Sequence, residues 1–152
     1  LLKSKLYAVN SSKLMAISFA TLGLFNIYYY YKNFSRKAKV EEFDLVIFVK
    51  SILYPYFSYS FLVDVGSTTK RSNSFVKFVF VLQLVFVVGG VAVAHPLNLL
   101  GFLTFIPLTI VNSMLLEGDA EVDELKKFPN VLIYLGFAIV STIVLSRIVD
   151  YF

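Results

Sequence analysis

His95 is the only histidine in the 152 residues and cysteine is absent, which removes thiolate nucleophiles, disulfides, iron–sulfur ligation and zinc–thiolate sites together. Metal ligation normally needs three or four donors. His95 stands beside Pro96 with no carboxylate near it in sequence, so it reads as a turn residue at the edge of an apolar run. The most oxygen-rich stretch, Asp119, Ala120, Glu121, Val122, Asp123 and Glu124, lacks the central glycine and ligand spacing of a calcium hand and reads as a solvated loop. Gly89 and Gly90 lie inside an apolar run without the other elements of a phosphate loop, so their expected role is close helix packing. Ser141, Thr142 and Ser146 have no base nearby in sequence to activate a hydroxyl. These patterns predict no catalytic residue, no metal site and no cofactor, and hence a protein that is not an enzyme.

The sharper candidates are four polar residues that interrupt apolar sequence: Lys50, Asp64, Gln83 and Asn112. A cation near the centre of a bilayer costs about 2.5–3.5 kcal/mol on insertion scales, so Lys50 is expected to snorkel with its aliphatic stem buried. Asp64 lies fourteen positions later, about 21 Å along a continuous helix, and cannot pair with Lys50 inside that helix. Asp44 and Asp64 read as boundary anchors. Gln83 and Asn112 are expected to hydrogen-bond across neighbouring helices, a contact worth about 0.6 kcal/mol on average in membranes.

The elements that must carry these residues are long apolar runs. Hydrophobic residues make up 58% of the chain, charged residues 16%, and the mean hydropathy is +0.76, which leaves too little polar surface to clothe a water-soluble globule of this size. Runs near 20 residues match the roughly 30 Å hydrocarbon layer at about 1.5 Å per residue, and in lipid a helix satisfies its own backbone hydrogen bonds. The expected fold is a single membrane domain, an all-α polytopic transmembrane bundle. Its spans are placed at about 14–31, 75–94, 97–116 and 131–149. Residues 43–65 are interrupted by Asp44, Lys50 and Asp64 and are expected to form an embedded or interfacial helix, with five full spans as the alternative.

Small residues mark the expected packing faces: Ala16 and Ala20 in the first span, Gly89 and Gly90 in the second, Ala138 and Thr142 in the last. Pro55 and Pro107 are expected to bend their helices. His95, Pro96, Leu97 and Asn98 predict a tight reversal. The run Tyr28, Tyr29, Tyr30 and Tyr31 before Lys32 reads as an interfacial aromatic belt, followed by a basic loop over 32–39. Asn33, Phe34 and Ser35 match the glycosylation triplet, a pattern that short chance matches readily produce. Placing both basic stretches that flank 43–65 on the cytoplasmic side satisfies the positive-inside rule best, which favours four crossings. The net charge of +4 and isoelectric point near 9.2 are scattered beside apolar runs, so anionic lipid headgroups are the expected counter-charge and nucleic acid is not.

Gly23, Leu24, Phe25, Asn26 and Ile27, with the four tyrosines and Lys32, Asn33 and Phe34, resemble a Tyr-Lys-Asn-aromatic signature that closes the first helix of a family of small, uncharacterised bacterial inner-membrane proteins. Lys50 to Ser60, a basic residue turning aromatic, is similar to that family's second segment. Phe105, Ile106, Pro107 and Leu108, with Ile110, Val111 and Asn112, are similar to its late proline and asparagine positions. Phe34 stands where the family has tryptophan, and Lys50 where it has arginine. The resemblance implies a bacterial inner-membrane address and brings no activity and no catalytic residues.

The expected function is therefore binding: a non-enzymatic membrane protein, in contact with lipid, that acts on a protein partner as an accessory subunit or an immunity-type protein. The alternative is a homo-oligomeric transporter or channel for a small solute or ion, with Lys50, Asp64, Gln83 and Asn112 lining the route.

Overall fold

The computed structural model describes residues 6–92, 101, 103–118, 120–123 and 130–149. The predicted reversal at 95–98 with His95, and Lys126 and Lys127 beyond the acidic stretch, lie outside these residues. The described chain is mostly helical, in the order β1 (Tyr7–Val9), α1 (Ser11–Ala20), α2 (Leu24–Ala38), α3 (Leu45–Ile52), α4 (Tyr54–Thr68), α5 (Asn73–Ala92), α6 (Phe105–Glu117), β2 (Glu121–Asp123) and α7 (Asn130–Val149). The two short strands, which the sequence reading did not anticipate, pair in parallel.

Local chemistry sets the breaks. Asn10 caps α1 by accepting from the backbone N–H groups of Ser12 and Lys13, which leaves the carboxamide engaged in helix initiation. The expected first span, 14–31, is not one helix. Leu22 and Gly23 adopt left-handed backbone angles, φ 54° and 82°, and divide it into α1 and α2. The basic loop expected over 32–39 is instead the last turns of α2, ending in left-handed Lys39 with Val40 N–H donating to Ser35 C=O. Helical spacing continues there because residues 32–38 hold no glycine or proline.

Asp44 caps α3 through the N–H of Ile47. At Leu53 the chain turns by 100°, and Pro55 opens α4, where its missing N–H costs no helical bond. Pro107 sits in the first turn of α6 for the same reason. It starts a helix rather than kinking one, contrary to expectation.

Ring and side-chain contacts give the directions. Asn26 and Tyr30 meet Tyr54, Phe34 meets Phe61, and Lys37 pairs with Asp64, so α2 and α4 run parallel. Gly23 abuts Thr104 and Tyr29 bonds Asn112, so α6 runs the same way. Tyr59 against Phe80, Ser58 against Gln83 and Gly66 against Val76 set α5 antiparallel to α4. The ends of α2, α4 and α6 therefore gather at one pole, tied by ion pairs Arg36–Glu121 (3.1 Å), Lys37–Asp64 (2.5 Å) and Arg71–Glu117 (2.5 Å).

Of these helices α5 is long and apolar enough to cross a membrane, over Asn73–Gly90, and only 17% of that stretch is buried. Together α3 and α4 pass the same test of length and composition but with the 100° bend between them, and α6 is apolar but shorter.

Candidate functional site

The centre of the molecule is a strand held by side chains. In an extended chain, alternate residues aim their N–H and C=O at opposite edges. Leu6 and Ala8 face β2, where Glu121 N–H donates to Leu6 C=O at 2.8 Å and Tyr7, Ala8 and Val9 stand opposite Glu121, Val122 and Asp123. Tyr7 and Val9 face the other edge, where no third strand pairs among the described residues. Their backbones are buried and must still be paired.

Two asparagines do this. Tyr7 N–H donates to Asn33 Oδ1 at 3.0 Å, and Asn33 Nδ2 donates to Tyr7 C=O at 3.1 Å. Val9 N–H donates to Asn112 Oδ1 at 2.9 Å, and Asn112 Nδ2 donates back to Val9 C=O at 2.6 Å. A carboxamide carries a donor and an acceptor in one plane, so each asparagine stands in for the peptide group of a missing strand. Both are buried, and both come from helices: Asn33 from α2, Asn112 from α6. Asn33 also donates to Tyr29 C=O, and Tyr29 Oη–H donates to Asn112 Oδ1 at 3.1 Å, which links the two clamps.

A second buried polar group lies beside the first. Tyr30 Oη–H donates to Gln83 Oε1 at 3.1 Å and Ser58 Oγ–H reaches the same oxygen at 3.4 Å. Gln83 Nε2 is buried and has no hydrogen-bond partner among the described residues. The Tyr30 and Tyr54 rings stack at 4.6 Å, and Tyr54 Oη accepts from Asn26 Nδ2 at 3.3 Å, while Ser18 Oγ–H donates to Asn26 Oδ1 at 2.5 Å. These groups are amides and neutral hydroxyls. They can position backbone and one another, and they hold no base against a nucleophile.

Of the candidate polar residues, Gln83 and Asn112 are thus buried in this network, whereas Lys50 and Asp64 lie on the surface of α3 and α4 and do not join it. The partner of Asp64 is Lys37 of the parallel helix. Among the packing candidates, Ala20 lies where a Cβ at Gly136 would come within 2.6 Å, bringing α1 against α7, and Gly90 lies 3.2 Å from where a Cβ on Gly101 would stand. Ala16 and Gly89 are half-buried, and Ala138 and Thr142 are exposed, Thr142 Oγ1–H donating to Ala138 C=O. Among the described residues no three His, Cys, Asp or Glu side chains gather as metal ligands.

The tyrosine run is not an interfacial belt as a whole: Tyr29 and Tyr30 are fully buried, and Tyr28 and Tyr31 carry the outer positions. Helical geometry turns adjacent residues by about 100°, so four consecutive tyrosines cannot share one environment. Sequence reading missed the strand, Asn33 as a clamp, and Tyr29 and Tyr30 as its support. The available signal was an asparagine one helical turn beyond a tyrosine, Tyr29 to Asn33, on a face shared with Asn26 and Tyr30.

The arrangement defines a helical bundle closed around a buried polar core. No family model, no curated protein and no solved structure matches the chain.

Proposed function

We propose that this chain is an integral protein of the bacterial inner membrane, a polytopic helical bundle that performs no catalysis and works by binding a protein partner, as an accessory subunit or an immunity-type protein. The observation that carries the reading is the direction of its side chains. Asn26, Asn33, Gln83 and Asn112 point inward, while Phe78, Val81 and Val85 of α5 and Leu135, Ile139 and Leu145 of α7 point outward. Water would penalise that surface, whereas lipid accepts it and requires polar groups to be paired inside. The polar side chains of the core are largely spent on the strand and on one another, which leaves recognition to the surface.

The test is affinity isolation from gently solubilised membranes, comparing the parent with the α7 variant Leu135→Ser/Ile139→Ser. A stoichiometric partner retained by the parent and lost by the variant is expected. Recovery of the chain alone from both would contradict binding of a partner. A homo-oligomeric transporter draws support from Gln83, whose buried Nε2 has no partner among the described residues and could donate to a solute. Liposome flux abolished by Gln83→Leu, in protein of unchanged melting temperature, would favour that reading instead.

A further inference from the structure

The chain leaves the charged pole at Lys39, the end of α2, and regains it at Asp64. Tyr31 of α2 meets the start of segment 43–65: its Oη accepts from Asp44 N–H at 3.3 Å and its ring stacks on Phe43 at 5.9 Å. Lys37 of the same helix meets the end of it, at Asp64. Tyr31 and Lys37 are six residues apart, about 9 Å along α2, and Tyr30 stacks on Tyr54, so the segment starts near the height of its turn at Leu53 and ends about 9 Å nearer the pole. Residues 39–44 make the climb; α3 then runs nearly at right angles to α4, which after the 100° turn at Leu53 descends parallel to α2. From Tyr54 to Asp64 the descent is about 15 Å, half the roughly 30 Å hydrocarbon layer.

The outer surface of the turn is apolar. Ile47 and Ser51 are the residues α3 buries, and Phe43, Leu45, Val46, Val49, Ile52 and Leu53 all face outward. Ser51 spends its hydroxyl on Ile47 C=O at 2.7 Å, and the helix satisfies its own backbone, so the face offers no directional hydrogen bond to a protein partner. Its one charged side chain is Lys50, exposed and without an ion pair among the described residues. Lys39 and Lys70 at the neighbouring pole are likewise exposed and outside the three ion pairs. Aliphatic surface edged by free ammonium groups complements acyl chains beneath anionic phosphates.

The geometry points to a re-entrant element: residues 40–68 enter and leave one leaflet from the charged pole, α3 lies across that leaflet, and its exposed face is covered by the leaflet's acyl chains. This rests on the membrane reading above and adds to it which surface lipid covers and from which side the segment is reached. The chain has no cysteine, so single-cysteine probes of the full-length protein in vesicles made from its own membrane lipid are direct. Glu42→Cys and Ser67→Cys stand near the two ends of the element, and Ile52→Cys sits at its turn.

An impermeant maleimide is expected to modify the two flanking probes from the same side of the vesicle. A bimane at Ile52 is expected to be quenched several-fold more by lipid brominated on the acyl chain than one at Glu42. Labelling from opposite sides would overturn the re-entrant path, and an unquenched Ile52 would overturn lipid as the covering. A chain that does not float with the vesicles would refute the membrane reading as well, so the two failures are distinguishable.

Discussion

Asn33 and Asn112 carry unusual responsibility for residues that no catalytic reading would select. Each satisfies both polar groups of one buried backbone unit, so truncation leaves a donor and an acceptor stranded away from water. An unpaired buried group costs about 1–3 kcal/mol, and Asn112→Ala orphans Val9 N–H and C=O and weakens the anchoring of Tyr29. The expected loss is about 3 kcal/mol, a fall of roughly 10 °C in the melting temperature of the detergent-solubilised protein. Lys37→Ala is expected to shift it by no more than about 1 kcal/mol, because the Lys37–Asp64 pair is exposed to water or headgroups and screened. Equal losses from the two variants, read by the same thermal scan, would remove the clamps from their central place. At this scale the sequence was half legible. Gln83 and Asn112 stood out because an amide in an apolar run needs a partner, but Asn33 was hidden among Lys32, Arg36 and Lys37, where a polar residue has no reason to attract notice.

At the scale of elements, small residues decide where helices can touch. A side chain at Gly136 would meet the Cβ and carbonyl oxygen of Ala20 at 2.6 Å, and a carbonyl cannot be moved without moving α1. Gly136→Leu is therefore expected to destabilise by about 1–3 kcal/mol, the usual cost of overpacking. Gly118→Ala, whose new Cβ would find its nearest atom at 3.5 Å, should change stability by less than about 0.5 kcal/mol. Guanidinium-free thermal scans of the two purified variants decide the matter, and similar melting temperatures would mean that α1 and α7 do not pack as described. The length of the apolar runs made α5 and α7 readable as helices, since 75–92 and 131–149 hold no proline and few polar side chains. The break at Leu22 and Gly23 was not readable. A glycine followed by helix-forming residues is common inside helices, and its left-handed angle answers to tertiary contact with Thr104. The strands were equally hidden, because three residues are too few to display alternation and β1 is held by residues 26 and 103 positions away.

For the whole molecule, the organisation is a charged pole, an apolar girdle and a polar interior. Composition alone announced the girdle, while the pole emerged from directions that only tertiary contacts fix: α2, α4 and α6 run together, so the basic end of α2, the acidic end of α6 and the Lys70–Arg71 turn meet in one place. On the proposed reading, lipid and not water surrounds α5 and α7. Washing membranes from an expressing bacterium with alkaline carbonate tests it most directly. The full-length chain should remain in the pellet and enter solution only with detergent. Release into carbonate as a monodisperse, cooperatively melting species would contradict it.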